Sequence, residues 1–573
     1  MRAHADARSA RGLYGISARV HPRARRESRQ GVTMGWTCAV GWALAARVAA
    51  RAKRLRDAEF WRVNSARIQH ETLRRLLDKA SGTSFGRAHG FARIAAIEDP
   101  ADMLAAYRSA LPVRDWIGFS DEIRRMREGA EPDVLWPGLV TRFAQTSGTT
   151  AGDKYMPVTE EMLRSNFRAS MDIFASLMNR GVSLGRMMGG RCLFLGGSCD
   201  LKPDANGIVT ADLSGLVTPM IRWPISAIYS PGREVALLSD WPEKIEAMVR
   251  VTRGQDIRMI SGMPSWAGVL MERLLEVTGA RTVREVWPNL EVFVHGGVRY
   301  GPFKPRIGRL VTGSPDGDIP VRHELYPASE AFIAMQDRGD DPAMRLLVDM
   351  DNFFEFIPLE SLDHDGTIPA DAPAFTADTV EPGVRHVVVL STCAGLWRYN
   401  LGDVVEFDDT CGDLEGRGGT GPARLRIVGR HRHFINAFGE NLIVEHIERA
   451  VESACGELGI TPGEFTAAPV YPGEGRGAGL ELVIEVDGEA EPLLEQFGRL
   501  FDESLKAQNV DYTTKRGEDL GMRPPTITPV PPGSFHKWME SRGKLGGQHK
   551  CPRCANHRDY VEGVLSIAGP VVG

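Results

Sequence analysis

Residues 143–157 read FAQTSGTTAGDKYMP, small hydroxyl side chains and glycines crowded around one lysine. Thr146, Ser147, Thr149 and Thr150 are interleaved with the flexible positions Gly148 and Gly152. Glycines let backbone come close to a ligand, and adjacent hydroxyls and N–H groups can surround phosphate oxygens. The pattern is not a P-loop. Only three residues separate Gly148 from Gly152, and Lys154 is followed by Tyr155 where a Mg²⁺-binding Ser or Thr would stand. A polar surface turn has the same composition, so a phosphate-binding reading needs support from elsewhere in the chain.

The rest of the chain sets the frame for that support. Strand-like runs (RCLFLG, LEVFVHGG, RHVVVLST, RLRIVGR) are interspersed with helical segments such as WPEKIEAMVRVTRG and SWAGVLMERLLEVTG. This alternation predicts α/β layers with a partly parallel sheet. NSARIQHETLRRLLDKA puts Ile68, Leu73, Leu76 and Leu77 near one helical face. Phe167, Met171, Phe174 and Met178 form a stripe expected to face a core. Residues 408–423, DDTCGDLEGRGGTGPA, read as a mobile loop. Beyond them, Ile443, Ile447, Val451 and Ala454 line one helical face and LELVIEVDG follows as a strand, so a second, smaller α/β domain is expected from about residue 429. With 573 residues, 43% hydrophobic and 25% charged, the composition is that of an ordinary globular protein. A net charge of -5 offers no strong basic field and argues against nucleic acid as a partner. The cysteines at 38, 192, 199, 393, 411, 455, 551 and 554 suggest no disulfide framework, which fits a reducing cytoplasm. No uncharged apolar run reaches the roughly 18 residues of a membrane span. Residues 1–33 are Arg-rich without a helical stripe and read as a disordered tail or an overextended start, with Met34 as the true beginning. The apolar stretch 35–46 faintly resembles a signal core, but no clear small-residue cleavage site follows.

Three further stretches carry chemistry. In HELYPASEAFIA (323–334), Tyr326 could stack on a base, Ser329 could meet a phosphate, and Glu330 could hold Mg²⁺. In LWRYNLGDVVEF, Gly402-Asp403 interrupts a strand, where an aspartate can bind ribose hydroxyls or simply close a turn. GRHRHFINAFGENLIVEHIE (429–448) passes from a strand end through a basic cluster into a helix.

Taken in order, these stretches resemble the motifs of the adenylate-forming superfamily, which joins ATP to a carboxylate. TSGTTAG resembles its phosphate loop, YPASE its Tyr-Gly-x-Thr-Glu segment, and YNLGD its Tyr-Arg-x-Gly-Asp segment; GRHRHFINAFGENL falls in register with its hinge motif. Closer still is the GH3 family, named for plant auxin-responsive genes and present in bacteria. LLDKASGTSFGRAHGF, LWPGLVTRFAQTSGTTAGDKYMPVT and QHKCPRC read like its members, and the resemblance runs from about residue 60 to 560. It implies a large N-terminal adenylate-forming domain of mixed sheets and helices over 34–428, and a small mobile C-terminal α/β domain over 429–573. It also implies an ATP- and Mg²⁺-dependent ligase that adenylates a carboxylic acid and passes the acyl group to an amine, commonly an amino acid. Ser147, Gly148, Thr149 and Thr150 would hold the ATP phosphates, with Ser329 touching them. Tyr326 would stack near adenine, Glu330 would ligate Mg²⁺, Asp403 would bind the ribose with Arg430 assisting, and Lys550 would be the catalytic lysine brought in by the small domain. Two positions depart from the superfamily pattern: Asn400 replaces an arginine, and Arg432 stands at the hinge where Asp or Lys is usual.

Alternatives remain open on sequence alone. A thiol acceptor would make the chain an acyl-CoA synthetase, and the Asn400 and Arg432 departures also allow a non-catalytic nucleotide or carboxylate binder. His549, Cys551, Cys554 and His557 could ligate zinc, although structural sites usually separate two ligand pairs by a longer loop. Trp223, Trp266 and Met263 could line an acyl pocket or simply fill core, and His295 reads as a packed strand-end histidine.

Overall fold

The strand-like runs become members of one sheet of eleven strands. In spatial order, Tyr229–Ser230, Arg191–Phe194, Ile257–Ser261, Val292–Gly296 and Val321–Pro327 pair in parallel. From Val321–Pro327 onward every pairing is antiparallel, through Phe332–Gln336, Met344–Leu346, Arg424–Arg430, Tyr399–Asp409, Arg385–Thr392 and Asn352–Pro358. Parallel neighbours need crossovers, and helices such as Trp241–Thr252, Pro264–Thr278 and Lys304–Thr312 lie between them in sequence. Val321–Pro327 is therefore the seam between a parallel and an antiparallel half. The computed structural model describes residues 36–146, 154–196, 203–218, 221, 225–238, 241–297, 300–339, 341–363, 366–414, 417–430, 434–435, 442–470, 479–486, 491–509, 512–513, 516, 522–542, 551–555 and 557–568.

Residues that resembled a signal core form part of a packed helix, Trp36–Arg56. Cys38, Leu44, Val48 and Ala52 are buried along it. Gly41 lets it close on Leu184, whose carbonyl oxygen lies only 2.4 Å from where a Cβ would stand. The helix is also tied ionically. Arg51 Nε donates to Asp172 Oδ1 at 2.8 Å, and its Nη1 donates to Asp349 Oδ2 at 2.7 Å. Asp172 explains a departure from the expected stripe on helix Glu160–Asn179. Phe174 is buried and Met171 and Met178 are half-buried, but Phe167 is 54% exposed. The buried face includes Asp172, whose charge is met by Arg51, and the helix is turned to present it.

The expected mobile loop at 408–423 contains a short hairpin, Asp413–Leu414 against Arg417–Gly418. Its glycines serve close approach: a Cβ on Gly412 would sit 1.7 Å from the Asp378 carbonyl oxygen.

After Arg430 the described chain builds a different layer. Phe465–Val470, Gly479–Glu485 and Thr526–Val530 form a three-stranded sheet. Helices Val444–Leu458 and Leu494–Gln508 contribute Ile447, Val451, Phe497 and Phe501 to the cluster on one face. Helices Ser534–Ser541 and Asp559–Ala568 contribute Phe535, Trp538 and Val561 to the cluster on the other. Residues 551–555 run along the edge strand, with Ala467 N–H donating to Arg553 C=O at 2.9 Å and Ala555 N–H donating to Ala467 C=O at 3.1 Å. Cys554 lies in the first cluster and Cys551 in the second. Burial pushes the Cys551 thiol up to about 12 and raises Cys554 as well. Two thiols buried in separate clusters on opposite faces of a sheet do not converge on one tetrahedral metal.

Two outcomes follow from this packing. Asp172→Asn should lower stability by about 1–3 kcal/mol, the scale for weakening a buried charge-assisted hydrogen bond, measured by denaturant unfolding. The melting temperature should be unchanged by a strong chelator, and elemental analysis of purified protein should find no stoichiometric zinc.

Candidate active site

The hydroxyl-rich stretch is entered from strand Arg142–Thr146 and left through strand Lys154–Pro157, which pair antiparallel with Thr146 facing Lys154. The residues between them, including Ser147, Gly148, Thr149 and Thr150, lie outside the described residues, as do Lys550, His549, Arg432 and Trp223.

Tyr326 and Asp403 come together. The Tyr326 hydroxyl donates to Asp403 Oδ2 at 2.7 Å. Their strands stand four positions apart in the sheet order, which in a flat sheet would separate them by roughly 19 Å. The antiparallel half must therefore curl back on itself. Short Met344–Leu346 and register shifts at Tyr326/Pro327 and Val404/Val405 mark the places where pairing is interrupted, as bulges do where strands bend. Tyr326 is 4% exposed and belongs to the main core cluster.

Asp403 is held by its own strand. Gly402 has φ +89, which a side chain would disfavour, and its N–H donates to Asn400 Oδ1 at 2.9 Å. Strand Tyr399–Asp409 runs through the expected interruption at Gly402-Asp403, and Asn400, a departure from the superfamily pattern, accepts there from the strand's own backbone, which an arginine could not do. The backbone of Asp403 faces Arg430 across the ladder.

Ser329 and Glu330 lie in the hairpin between strands Val321–Pro327 and Phe332–Gln336, closed by the Ala328 N–H to the Ala331 C=O at 2.8 Å. Each is 8% exposed. The turn leaves the carboxyl end of the seam strand, the usual place for a ligand in an open α/β sheet.

Arg398, two residues before Asn400, was not singled out in the motif. It is 4% exposed, takes φ +45, and donates through Nε to Glu355 Oε2 at 3.0 Å and through Nη1 to Leu111 C=O at 2.7 Å. Asn400 N–H donates to Arg114 C=O at 2.8 Å, pinning the start of the same strand from another side. The adjacent arginine in LWRYNLGD was the available signal. His295 is buried and stacks on Tyr300 at 4.9 Å between ring centroids. Burial and Arg322 push its pKa down to about 3, so it is neutral near pH 7. Trp266 is half-buried against the second core cluster, and Met263, 9% exposed, caps helix Pro264–Thr278. Among the described residues, no helix is long and apolar enough to cross a membrane.

Chemically, the arrangement offers a carboxylate held by a tyrosine hydroxyl, and nearby in sequence a hydroxyl and a carboxylate on a tight turn. Carboxylates accept hydrogen bonds from the hydroxyls of polyhydroxylated sugars, and carboxylate oxygens ligate hard cations.

Comparison with known proteins gives a consistent result. The GH3 family N-terminal domain matches residues 54–196 and 201–315, the central domain 345–414, and the C-terminal domain 445–559. An indole-3-acetic acid-amido synthetase, GH3.8 of Oryza sativa subsp. indica, is 24% identical over 579 residues, covering 89% of this chain and 91% of its own. The jasmonoyl–L-amino acid synthetase JAR4 of Nicotiana attenuata is 22% identical, covering 86% and 91%. Among solved structures, the GH3.15 acyl acid amido synthetase superposes with a TM-score of 0.70 at 16% identity, over 91% of this chain and 96% of that one. A 2-hydroxyisobutyryl-CoA ligase in its postadenylation state gives 0.53 at 15% identity, over 86% and 90%. The three domains of one family, matched in order along most of its length, make this chain a member of the GH3 family.

Proposed function

We infer that this chain is an AMP-forming ligase that uses ATP to activate a carboxylic acid and transfers the acyl group to an amine, an amino acid being the favoured class. The observation that carries the reading is the convergence of Tyr326 and Asp403, from motifs 77 residues apart, beside the turn bearing Ser329 and Glu330. Its relatives' names, amido synthetases acting on indole-3-acetic acid and forming jasmonoyl–amino acid conjugates, support the amide outcome.

In the first half-reaction a carboxylate oxygen attacks the α-phosphorus of ATP and pyrophosphate leaves. Ser147, Gly148, Thr149 and Thr150 hold the phosphates with Ser329, Tyr326 borders the base, and Asp403 receives the ribose hydroxyls with Arg430 nearby. Both reactants are anionic, so the protein's task is to position them and offset charge. The Glu330 carboxylate is a hard oxygen ligand of the kind Mg²⁺ selects, and a Mg²⁺ held there would neutralise phosphate charge. In the second half-reaction the amine attacks the acyl carbon of the adenylate, AMP leaves, and the amine gives up a proton to form the amide. The large domain spans residues 34–428 and the small one 429–573. Lys550 directly precedes Cys551, which is buried in a cluster of the small sheet, and acts as the catalytic lysine.

Carboxylate-dependent exchange of pyrophosphate into ATP tests the first half directly, and its absence across a broad set of acids would leave only a binding protein. Comparing amino acids with CoA as acceptors then separates amide from thioester formation. Lys550→Ala should keep ATP affinity within a few fold while slowing adenylate formation by roughly 10²-fold, the scale lost with one electrostatic stabiliser. Single-turnover adenylation with calorimetric ATP binding measures both. Glu330→Gln should raise the Mg²⁺ concentration needed for half-maximal turnover far more than it weakens nucleotide binding, and an identical Mg²⁺ titration in mutant and parent would remove Glu330 as a metal ligand.

A further inference from the structure

A tyrosine hydroxyl inside an apolar cluster needs a partner, because burying it unpaired is costly. Tyr326 lies among core residues that include Ile333, Ala334 and Val405. Phenylalanine would pack there equally well and would present the same ring to a base. What the hydroxyl adds is a bond of 2.7 Å to Asp403 Oδ2. The main chain on Asp403's side is also braced, through Gly402 N–H to Asn400 Oδ1 and Asn400 N–H to Arg114 C=O. Bracing the backbone fixes where the carboxylate starts. It does not fix rotation about the bond to the carboxyl group, which is broad for aspartate. The Tyr326 hydroxyl acts on that rotation.

We propose that Tyr326 is a positioning residue that sets how strictly the site reads the sugar of its nucleotide: its hydroxyl orients the Asp403 carboxylate toward the ribose hydroxyls. A carboxylate accepts several hydrogen bonds at once, so the bond from Tyr326 is compatible with hydroxyl donors from a ligand. The inference rests on the nucleotide reading above, in which Asp403 meets the ribose. It goes further by assigning sugar discrimination to a residue whose expected role is only to border the base.

The readout is the ratio of kcat/KM for ATP to that for 3′-deoxy-ATP and for 2′-deoxy-ATP in pyrophosphate exchange, for the parent, Tyr326→Phe and Asp403→Ala. A role confined to packing or stacking would slow all three nucleotides alike and leave the ratios unchanged. Tyr326→Phe should instead lower at least one ratio by about tenfold, the scale of a hydrogen bond to a charged group, and Asp403→Ala should lower it at least as much. In the double variant the Tyr326 change should add little, because its partner is gone. If Asp403→Ala collapses the ratio and Tyr326→Phe preserves it, the inference is overturned and the nucleotide reading stands. If Asp403→Ala preserves the ratio, Asp403 does not read the ribose and the inference falls with that assignment. Should Tyr326→Phe fail to fold, 3-fluorotyrosine at position 326 keeps the packing and sharpens the donor. A raised ratio then supports the inference, and an unchanged one overturns it.

Discussion

The site depends on the curl of the antiparallel half of the large sheet. Tyr326 and Asp403 lie four strands apart in the sheet order and still share a hydrogen bond of 2.7 Å. The inside of this curl is filled by side chains from the strands it joins, among them Ile333, Phe353, Val388, Val405 and Phe407. Aromatic contacts such as Phe356–Phe407, 4.7 Å between centroids and close to edge-on, fill the same core. Burying this apolar surface stabilises the bend. The bend in turn sets the residues of two distant motifs side by side. Fold and site share one cause.

Apolar packing does not by itself choose a register, and the buried arginines supply that specification. Arg398 meets Glu355 and Leu111 C=O, and Arg424, 2% exposed, meets Asp337 at 2.7 Å and Ala343 C=O at 3.0 Å. Arg345 is fully enclosed, donates to Leu55 C=O at 2.7 Å, and lies 4.1 Å over the Trp61 ring; burial pushes its pKa down to about 10. Buried ion pairs contribute little net stability against well-packed apolar substitutes, but losing one partner costs about 3–5 kcal/mol. A one-residue slip in any of these strands would part such pairs and turn each side chain to the opposite face. Among described residues, these arginines penalise the wrong arrangement more than they strengthen the right one.

The sequence made the elements legible because their patterns are local. Apolar runs marked the strands, and helix Val444–Leu458 shows the expected face with Ile447, Val451 and Ala454 buried; Ile443 caps it from just outside. What the sequence could not supply was non-local. The Phe167 stripe misled because hydrophobic periodicity carries no information about Asp172, whose burial depends on Arg51, 121 residues away. In the Gly- and Asp-rich stretch at 408–423, glycine looks alike in sequence whether it supplies freedom or close approach. At Gly412 it supplies close approach. Tyr326, Ser329, Glu330 and Asp403 read as a set because their types and order resemble a family's motifs. The bond between Tyr326 and Asp403 was not, since it exists only once the sheet has curled.

The cysteines near the C-terminus show the same lesson in reverse. Cys551 and Cys554 are three apart, and in an extended segment residues an odd number apart point to opposite faces. Each is buried in the cluster on its own face of the small sheet, so the segment is pinned from both sides. Further bonds hold it along its length: Thr466 Oγ1 donates to Pro552 C=O at 2.7 Å, and Arg553 pairs with Glu464 at 2.8 Å. A pair of thiols that suggested a metal by spacing is better understood as two apolar plugs securing an edge.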